Sequence, residues 1–257
     1  MGIGYIGLEQ SQNSYANLPV RLFNKGLIDI VGYSLWFKSG NSSTAKLIFG
    51  GVDTNRFYGA LETVPISMEQ LQYQLVTVEL SGITVTTSNQ TTNITDSPKT
   101  VILDSGTPSF VLGTKQLSKL GFQLGAVDDT SGGGYVKRYT ELDNTTTIDF
   151  TFGGTNISVP VSDLVIPYND MFAFLNILPS ATTGIDIVGL PFFRNAYTVF
   201  DYSHNRLGAV SAFEGYGHGG RSVTESVMSY SSAASPSRRA EELLHLLTAG
   251  RHGTAAT

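Results

Sequence analysis

Residues 101–107 read V-I-L-D-S-G-T, which places Asp104 directly after an apolar strand and before a glycine that can adopt a left-handed turn. Removing a carboxylate from water at the end of a buried strand costs several kcal/mol unless hydrogen bonds or a neighbour compensate. Ser105, Gly106 and Thr107 offer backbone N–H groups and hydroxyls that can donate them. A D-S-G sequence by itself is most simply an Asx-type turn at a strand end. The functional interpretation of Asp104 therefore depends on the surrounding sequence.

A second apolar stretch, residues 185–189, ends at Gly189 and leads into L-P-F-F-R at 190–194 and A-Y-T-V-F-D at 196–201. Glycine lets two backbones approach each other without a side chain between them. An apolar pair followed by Gly189 can therefore thread beside a loop that carries an aspartate.

Short runs of β-type residues, separated by Gly, Asn, Asp and Pro, dominate the chain and predict an all-β architecture with few helices. The predicted strands are Tyr33–Lys38, Lys46–Phe49, a hairpin over Leu71–Val85 that is broken at Ser81–Gly82, Thr145–Phe152, Asn156–Val161 and Ala196–Tyr202. Two short helices are predicted, Leu18–Lys25 closed by Gly26, and Thr114–Leu120 with Thr114 as its cap and Gly121 as its end.

The composition excludes several classes of chemistry. The 257 residues carry 16 Lys+Arg against 21 Asp+Glu, a net charge of −5, which argues against a nucleic-acid partner. Cysteine is absent, so thiol nucleophiles, thiolate zinc sites and disulfides are excluded. All four histidines lie at or beyond position 204, and we predict neither a metal site nor a cofactor. A serine hydrolase is disfavoured because Ser105–Gly106 lacks the G-x-S-x-G elbow.

Five acceptor sequons for N-glycosylation stand in a chain that has no secretory signal at its start and no apolar run of the roughly 18 residues needed to span a membrane. They are Asn41, Asn89, Asn93, Asn144 and Asn156. Sequons without a leader predict that an N-terminal segment is missing from this chain. The alternative, that a chain rich in Ser, Thr and Asn forms sequons by chance, stays open.

Taken together, D-S-G-T after an apolar strand and F-x-R-x-x-Y-x-V-F-D after an apolar-apolar-Gly element resemble the carboxy-terminal lobe of the pepsin-like aspartic proteases. Residues 47–53 (L-I-F-G-G-V-D) resemble the stretch that joins the two lobes of that family, and residues 2–5 (G-I-G-Y) resemble the end of its amino-terminal lobe. The likeness covers about residues 1–213, and the low charge and abundant Ser and Thr resemble the secreted fungal branch.

The resemblance implies an incomplete pepsin-like fold. Residues 1–60 would be a remnant of the amino-terminal lobe with the inter-lobe segment, and 61–213 the carboxy-terminal lobe. Residues 214–257 would be a Gly/Ser-rich tail with a short amphipathic helix at 238–247. The complete protein is expected to be monomeric and secreted, vacuolar or attached to the cell surface.

The same resemblance implies that Asp104 is one of two catalytic carboxylates of an aspartic endopeptidase that cleaves polypeptides without a cofactor. Ser105, Gly106 and Thr107 would support the catalytic loop, and Gly189 would be the glycine threaded next to it. Three departures from the family pattern stand out: Pro108 where Ser or Thr is usual, Leu190 where Asp is common, and the absence of the usual lobe disulfide.

D-T-G or D-S-G occurs only once, since Asp129-Thr130-Ser131-Gly132 has an extra residue before its glycine. The resemblance therefore predicts a truncated form that lacks the first catalytic aspartate and the flap. The alternative is a catalytically inactive homologue or binding module. A third interpretation, with Asp104 of two copies meeting across a two-fold axis as in the retroviral relatives, is disfavoured because a symmetric dimer would have to accommodate this lobe's long loops.

Overall fold

The computed structural model describes residues 3–5, 16–38, 44–57, 59–67, 75–129, 134–142, 145–180 and 186–212. In these residues the chain forms three α-helices, α1 Leu18–Asn24, α2 Thr114–Gln123 and α3 Leu190–Asn195. The remaining regular structure is almost entirely β. In chain order the strands are β1 Gly32–Phe37, β2 Ala45–Phe49, β3 Glu62–Pro65, β4 Thr77–Leu80, β5 Gly82–Thr86, β6 Thr91–Asn93, β7 Lys99–Leu103, β8 Phe110–Leu112, β9 Val127–Asp129, β10 Gly134–Arg138, β11 Thr147–Phe152, β12 Thr155–Pro160, β13 Val165–Pro167, β14 Phe172–Leu175, β15 Ile177–Pro179, β16 Asp186–Val188, β17 Ala196–Asp201 and β18 Arg206–Ser211.

The strands of the described residues form four sheets. The base sheet has the order β2-β1-β17-β18-β3, the outer sheet β12-β11-β5-β6, and the Asp104 sheet β15-β8-β16-β7-β4; the fourth is β13-β14-β10-β9. Neighbouring strands in the base and outer sheets are antiparallel, whereas β16 runs parallel to β7 in the Asp104 sheet. The end of β7 and the end of β16 therefore reach the same edge.

A cluster of aromatic rings fills the space between the sheets. Phe110 of the Asp104 sheet meets Phe150 of the outer sheet edge to face, with ring centroids 4.9 Å apart. Phe192 and Phe193 on α3 continue the cluster, and all four side chains are fully buried. Rings of this size contribute most of the apolar area that a β core removes from water, and edge-to-face pairs add to that stabilisation.

Most of the predicted elements are present, including helix α1, which ends where Gly26 takes a left-handed φ of 66°. The predicted hairpin over Leu71–Val85 is wrong. Within the described residues β4 pairs with β7 of the Asp104 sheet, whereas β5 pairs with β6 and β11 of the outer sheet. The break at Ser81–Gly82 is a crossing between two sheets, and the Ser81 N–H donates to the Thr151 carbonyl at 2.8 Å. Residues 71–74 of that prediction lie outside the described part of the chain.

The predicted ends of α2 are also wrong. Gly113, not Thr114, is the N-cap residue, and the helix continues through Gly121 to Gln123. Gly121 is buried, and a Cβ at this position would lie 2.4 Å from the ring of Tyr135. Here the glycine permits the packing of an aromatic ring on the helix and does not end it. The predicted tail helix at 238–247 lies outside the described residues, and the division at residue 60 stays a prediction.

Candidate functional site

Asp104 follows the last residue of β7, whose Val101 and Leu103 are buried in the core. Its carboxylate is only partly buried and accepts two hydrogen bonds, from the Gly106 N–H at 2.9 Å and from the Thr107 hydroxyl at 2.7 Å. The Thr107 N–H donates to the Asp104 carbonyl at 3.1 Å, which closes the turn. One donor therefore holds each carboxylate oxygen, and the group is fixed in a single orientation at the edge of the sheet.

Gly106 does not use the left-handed backbone region that glycine makes available, because it is absent from the positive-φ residues of the described chain. Its contribution is close approach: a Cβ would stand 3.1 Å from the Asp104 carboxylate oxygen. Ser105, also on the turn, is half buried, and Gly106 itself is exposed. The carboxylate therefore lies on a turn that is partly accessible to solvent.

Strand β16 runs beside this turn, and Gly189 follows it directly. The Asp104 N–H donates to the Val188 carbonyl at 3.2 Å, and the Leu190 N–H donates to the Thr107 carbonyl at 2.7 Å. A Cβ on Gly189 would stand 2.1 Å from the Ser109 carbonyl oxygen and 2.5 Å from that of Thr107. Its φ of −97° is open to any residue, so space and not conformation requires glycine here.

Two polar residues that the sequence did not single out, Asn176 and Asp186, form hydrogen bonds and an ion pair with the strands and the loop around Asp104. The Asn176 side-chain amide donates to the Pro108 carbonyl at 2.7 Å, and its backbone carbonyl accepts from the Phe110 N–H at 3.2 Å. Asp186, at the start of β16, is 1% exposed, forms an ion pair with Lys99 of β7 and accepts from the Gly113 N–H at 2.9 Å. In both cases the available signal is a single polar residue inside an apolar run, L-N-I-L and I-D-I-V.

A buried tyrosine cluster lies within electrostatic reach of Asp104. The hydroxyls of Tyr33 on β1 and Tyr202 after β17 are 3.1 Å apart, and the Tyr5 ring packs on Tyr202 at 4.4 Å between centroids. Burial raises the pKa of Tyr33 to about 12, and the negative charge of Asp104 adds to the rise although the hydrogen bond with Tyr202 opposes it. Burial also holds the pKa of Tyr202 well above its usual value. Both phenols stay neutral beside the site at any physiological pH.

This cluster predicts a loss of stability in alkali. The Tyr33 phenol has a pKa of 10.0 in the unfolded chain and about 12 in the folded protein. Between these two values the folded state keeps the proton that the unfolded chain loses, so ionisation favours the unfolded state and stability falls as the pH rises. Below pH 10.0 the phenol is neutral in both states and its contribution to stability is fully present. We expect the free energy of unfolding of this protein to fall between pH 10.0 and about 12, and to fall less steeply in Y33F. Denaturant unfolding measured along a pH series checks this. An equal slope for both proteins would contradict it.

The other predicted site residues do not join this arrangement. Asn93 and Asn156 are exposed on the two edge strands of the outer sheet, and Asn89 is exposed in the turn before β6. Asn41 and Asn144 lie outside the described residues. His204, the one histidine within the described ranges, sits beside buried Asp201, with its Nδ1 2.8 Å from a carboxylate oxygen. A histidine paired with an aspartate is part of a Ser-His-Asp triad, but among the described residues no serine hydroxyl is hydrogen-bonded to the His204 ring, so a serine hydrolase finds no support here.

The described residues contain no group of three or more His, Cys, Asp or Glu side chains that could hold a metal ion. None of the helices in the described ranges is long and apolar enough to cross a membrane. Within the same ranges, the Asp104 side chain accepts hydrogen bonds from Gly106 and Thr107 alone. The arrangement therefore offers one oriented carboxylate, supported by a parallel strand, for acid–base chemistry at the sheet edge.

Comparison with known proteins points to one family. The family profile described as eukaryotic aspartyl protease matches residues 1–212. Among solved structures, the aspartic proteinase from Irpex lacteus superimposes with a TM-score of 0.69 at 21% identity, and the alignment covers 82% of this chain and 67% of that one. This likeness concerns the fold.

Three of the curated relatives are fungal proteins. The probable aspartic-type endopeptidase opsB of Aspergillus oryzae is 30% identical over 80% of this chain and 45% of its own length. Secreted aspartic protease 8 of Candida albicans is 35% identical over 80% of this chain and 47% of its own length. Aspartic proteinase yapsin-3 of Saccharomyces cerevisiae is 29% identical over 82% and 42%. The chain thus spans less than half the length of these three relatives.

Proposed function

Because the chain belongs to the eukaryotic aspartyl protease family, we propose that Asp104 is one of the two catalytic carboxylates of an aspartic-type endopeptidase. The single observation that carries the proposal is the Asp104 turn itself. Its two side-chain oxygens are held by Gly106 and Thr107 while Gly189 passes alongside in contact with the same loop. An Asx turn that only ended a strand would need neither the hydroxyl at Thr107 nor a second strand parallel to β7.

The reaction depends on the properties of a carboxylate pair. Two carboxylates in close contact share one proton because they cannot both ionise, the behaviour for which aspartic protease dyads are the known example. The ionised member removes a proton from a water molecule, which attacks the scissile carbonyl carbon, while the protonated member donates a hydrogen bond to the carbonyl oxygen. The proton then passes to the amide nitrogen, the C–N bond breaks, and a carboxylic acid and an amine leave. The role assigned to Gly106 and Thr107 is to keep Asp104 oriented throughout.

The second carboxylate has to come from outside these 257 residues, since the D-S-G sequence occurs only at residues 104–106. We therefore assign to this chain the carboxy-terminal part of the enzyme, a truncated form without the first catalytic aspartate. The share of the three fungal relatives that it spans, 42–47%, agrees with this assignment. The complete protein would be a monomer that contributes both aspartates from one polypeptide.

Polypeptides with apolar residues near the cleaved bond are the proposed substrates. The name of the Candida relative describes a secreted protease, and exposed acceptor sequons at Asn89, Asn93 and Asn156 suit a glycoprotein that passes through the secretory pathway. We extend both properties, secretion or attachment at the cell surface and glycosylation, to the full-length form of this protein.

The test is inhibition of the full-length protein by a statine-type peptide, whose hydroxyl mimics the tetrahedral intermediate between the two carboxylates. We expect hydrolysis of an unfolded polypeptide in mildly acidic buffer, abolished by the statine peptide and unaffected by a serine-protease reagent or a metal chelator. Hydrolysis that resists the statine peptide, or that the chelator removes, would refute the assignment.

A second candidate function, an inactive homologue or binding module, is favoured by Pro108. This residue stands where the family resemblance calls for a hydroxyl residue, and it removes both that side chain and a backbone N–H donor next to the site. The same assay separates the two candidates. A full-length protein that binds the statine peptide without cleaving any polypeptide would be the inactive homologue.

A further inference from the structure

A surface groove lies on the side of the molecule formed by the outer sheet and helix α2. It has a volume of about 400 Å3, within the range of roughly 300–1,000 Å3 that holds small organic ligands. Its walls are Thr92 and Asn93 of β6 and Ser118, Lys119, Phe122 and Gln123 of α2. None of these residues has a part in the proposed catalytic site.

Phe122 is the exception to the amphipathic pattern of α2. Leu117 and Leu120 of the same helix are 5% and 0% exposed, whereas the Phe122 side chain is 79% exposed. A single exposed apolar side chain needs no explanation on its own. Here, however, the ring stands next to hydroxyl, amide and ammonium groups in one concave surface. An apolar face with polar groups around it suits a sugar ring, which has C–H bonds on its faces and hydroxyls at its edge.

The groove also contains an attachment point for sugar. Asn93 begins the sequon Asn93-Ile94-Thr95 and is exposed at the end of the edge strand β6. The two residues that follow Asn93 are tied to β5. The Ile94 N–H donates to the Ile83 carbonyl at 2.8 Å, and the Thr95 hydroxyl accepts from the Ile83 N–H at 2.9 Å. A glycan on Asn93 would therefore start inside the groove from a rigid position.

Two ion pairs lie next to the groove. Asp96, just after the sequon, accepts from Lys115 at 2.7 Å and from Lys119 at 2.5 Å, both on α2. The hydrogen bonds from Lys115 and Lys119 lower the pKa of Asp96 to about 2, so the carboxylate is charged at neutral pH. Both ion pairs are exposed to solvent, and they link α2 with the segment that follows β6.

We propose that Asn93 is N-glycosylated and that the first sugars of this glycan occupy the groove with a ring face against Phe122. The occupant is attached to the groove's own wall, so no separate partner is required. The glycan would cover the exposed aromatic ring and part of β6, which is an edge strand of the outer sheet in the described residues. This inference requires passage through the secretory pathway but does not depend on Asp104 being catalytic.

The test is the rate at which an endoglycosidase cuts between the first two sugars in the native protein. The full-length protein is made in a eukaryotic secretory host, and peptide mapping establishes which asparagines are modified. We expect the Asn93 glycan to be released faster in F122S by about 2- to 10-fold, the factor that an aromatic contact of ordinary strength represents. Release at Asn89, whose sequon stands in the adjacent turn and outside the groove lining, is the matched control and should not change.

A folding control accompanies this measurement. Phe122 is mostly exposed, so N93Q and N93Q/F122S, which both lack the Asn93 glycan, should have the same Tm. The proposal is overturned if Asn93 carries no glycan, or if F122S alters release at Asn93 no more than release at Asn89. The sequon is removed through Asn93 and not through Thr95, because the Thr95 hydroxyl is bonded to the backbone of β5.

Discussion

Replacement of Asp104 by asparagine in the full-length protein is expected to lower kcat/KM for a polypeptide substrate by about 10²–10⁴-fold, the usual contribution of a positioned acid–base group. The fold should survive, because an asparagine side chain can satisfy the same two contacts. Its Oδ1 can accept from the Gly106 N–H, and its Nδ2 can donate to the Thr107 hydroxyl, which is free to rotate and accept. What the substitution removes is the charge and the shared proton.

The matched control for D104N is D170N, which removes the same charge from an exposed position in the loop before β14. We expect D170N to retain full activity and both variants to keep the Tm of the parent protein. If D104N hydrolyses polypeptides at the parent rate, Asp104 is not a catalytic carboxylate and the turn at residues 104–107 has a structural role only.

The reach of the sequence is clearest at this turn. An aspartate after the apolar run V-I-L, followed by groups that donate hydrogen bonds, is a local pattern, and donors within three residues satisfy the carboxylate as the desolvation argument requires. The close approach of Gly189 is a different case: glycine permits a second backbone at that distance, but its place beside this loop depends on the pairing of β16 with β7 and was implied by the family resemblance. Only the Asp104 turn could therefore be predicted without knowing how distant strands pair.

Pairing between sheets is where the sequence was insufficient. The alternation over residues 77–86 indicates two strands with a break at Ser81–Gly82, and this is equally compatible with a hairpin and with a crossing between sheets. Which of the two forms depends on the strands that pair with β4 and β5, and these are β7 at residues 99–103 and β11 at residues 147–152. The prediction at Gly121 failed for the same reason: a glycine seven residues after a helix start resembles a C-terminal signal, but Tyr135 from β10 packs against it.

The contacts of Asn176 and Asp186 around the site could not be predicted from the sequence either. Asn176 and Asp186 each appear in the sequence as a polar interruption of an apolar run, which predicts a buried polar group but not its partner. Pro108 and Lys99, the partners, become neighbours only once β15 pairs with β8 and β16 pairs with β7. The residues next to Asp104 in the sequence therefore pointed to its carboxylate, whereas the contacts of Asn176 and Asp186 could be seen only once the pairing of distant strands was known.

The Gly189 contact supports the second large prediction. A methyl group at this position would meet two carbonyl oxygens, those of Ser109 and Thr107, at 2.1 and 2.5 Å, and both belong to backbone rather than to a flexible side chain. The strand cannot move away easily, because the Asp104 N–H is bonded to the Val188 carbonyl and the Leu190 N–H to the Thr107 carbonyl. Relief of the overlap therefore has to displace the turn that carries Asp104.

We expect G189A to destabilise the full-length protein by about 3 kcal/mol, the upper part of the usual cost of overpacking, and to lower its Tm. Activity should fall further than the loss of stability explains, since a displacement of about 1 Å at a reacting group lowers the rate on the order of 10²-fold.

G51A is the matched control, because a Cβ there would meet its nearest neighbour, Ile48, at an ordinary 3.6 Å. Thermal unfolding and kcat/KM, measured on both variants at a temperature where both are folded, separate the two effects. A G189A protein with the Tm and activity of G51A would mean that β16 does not pass against the Asp104 loop, and the carboxylate would then lack the support on which its proposed role depends.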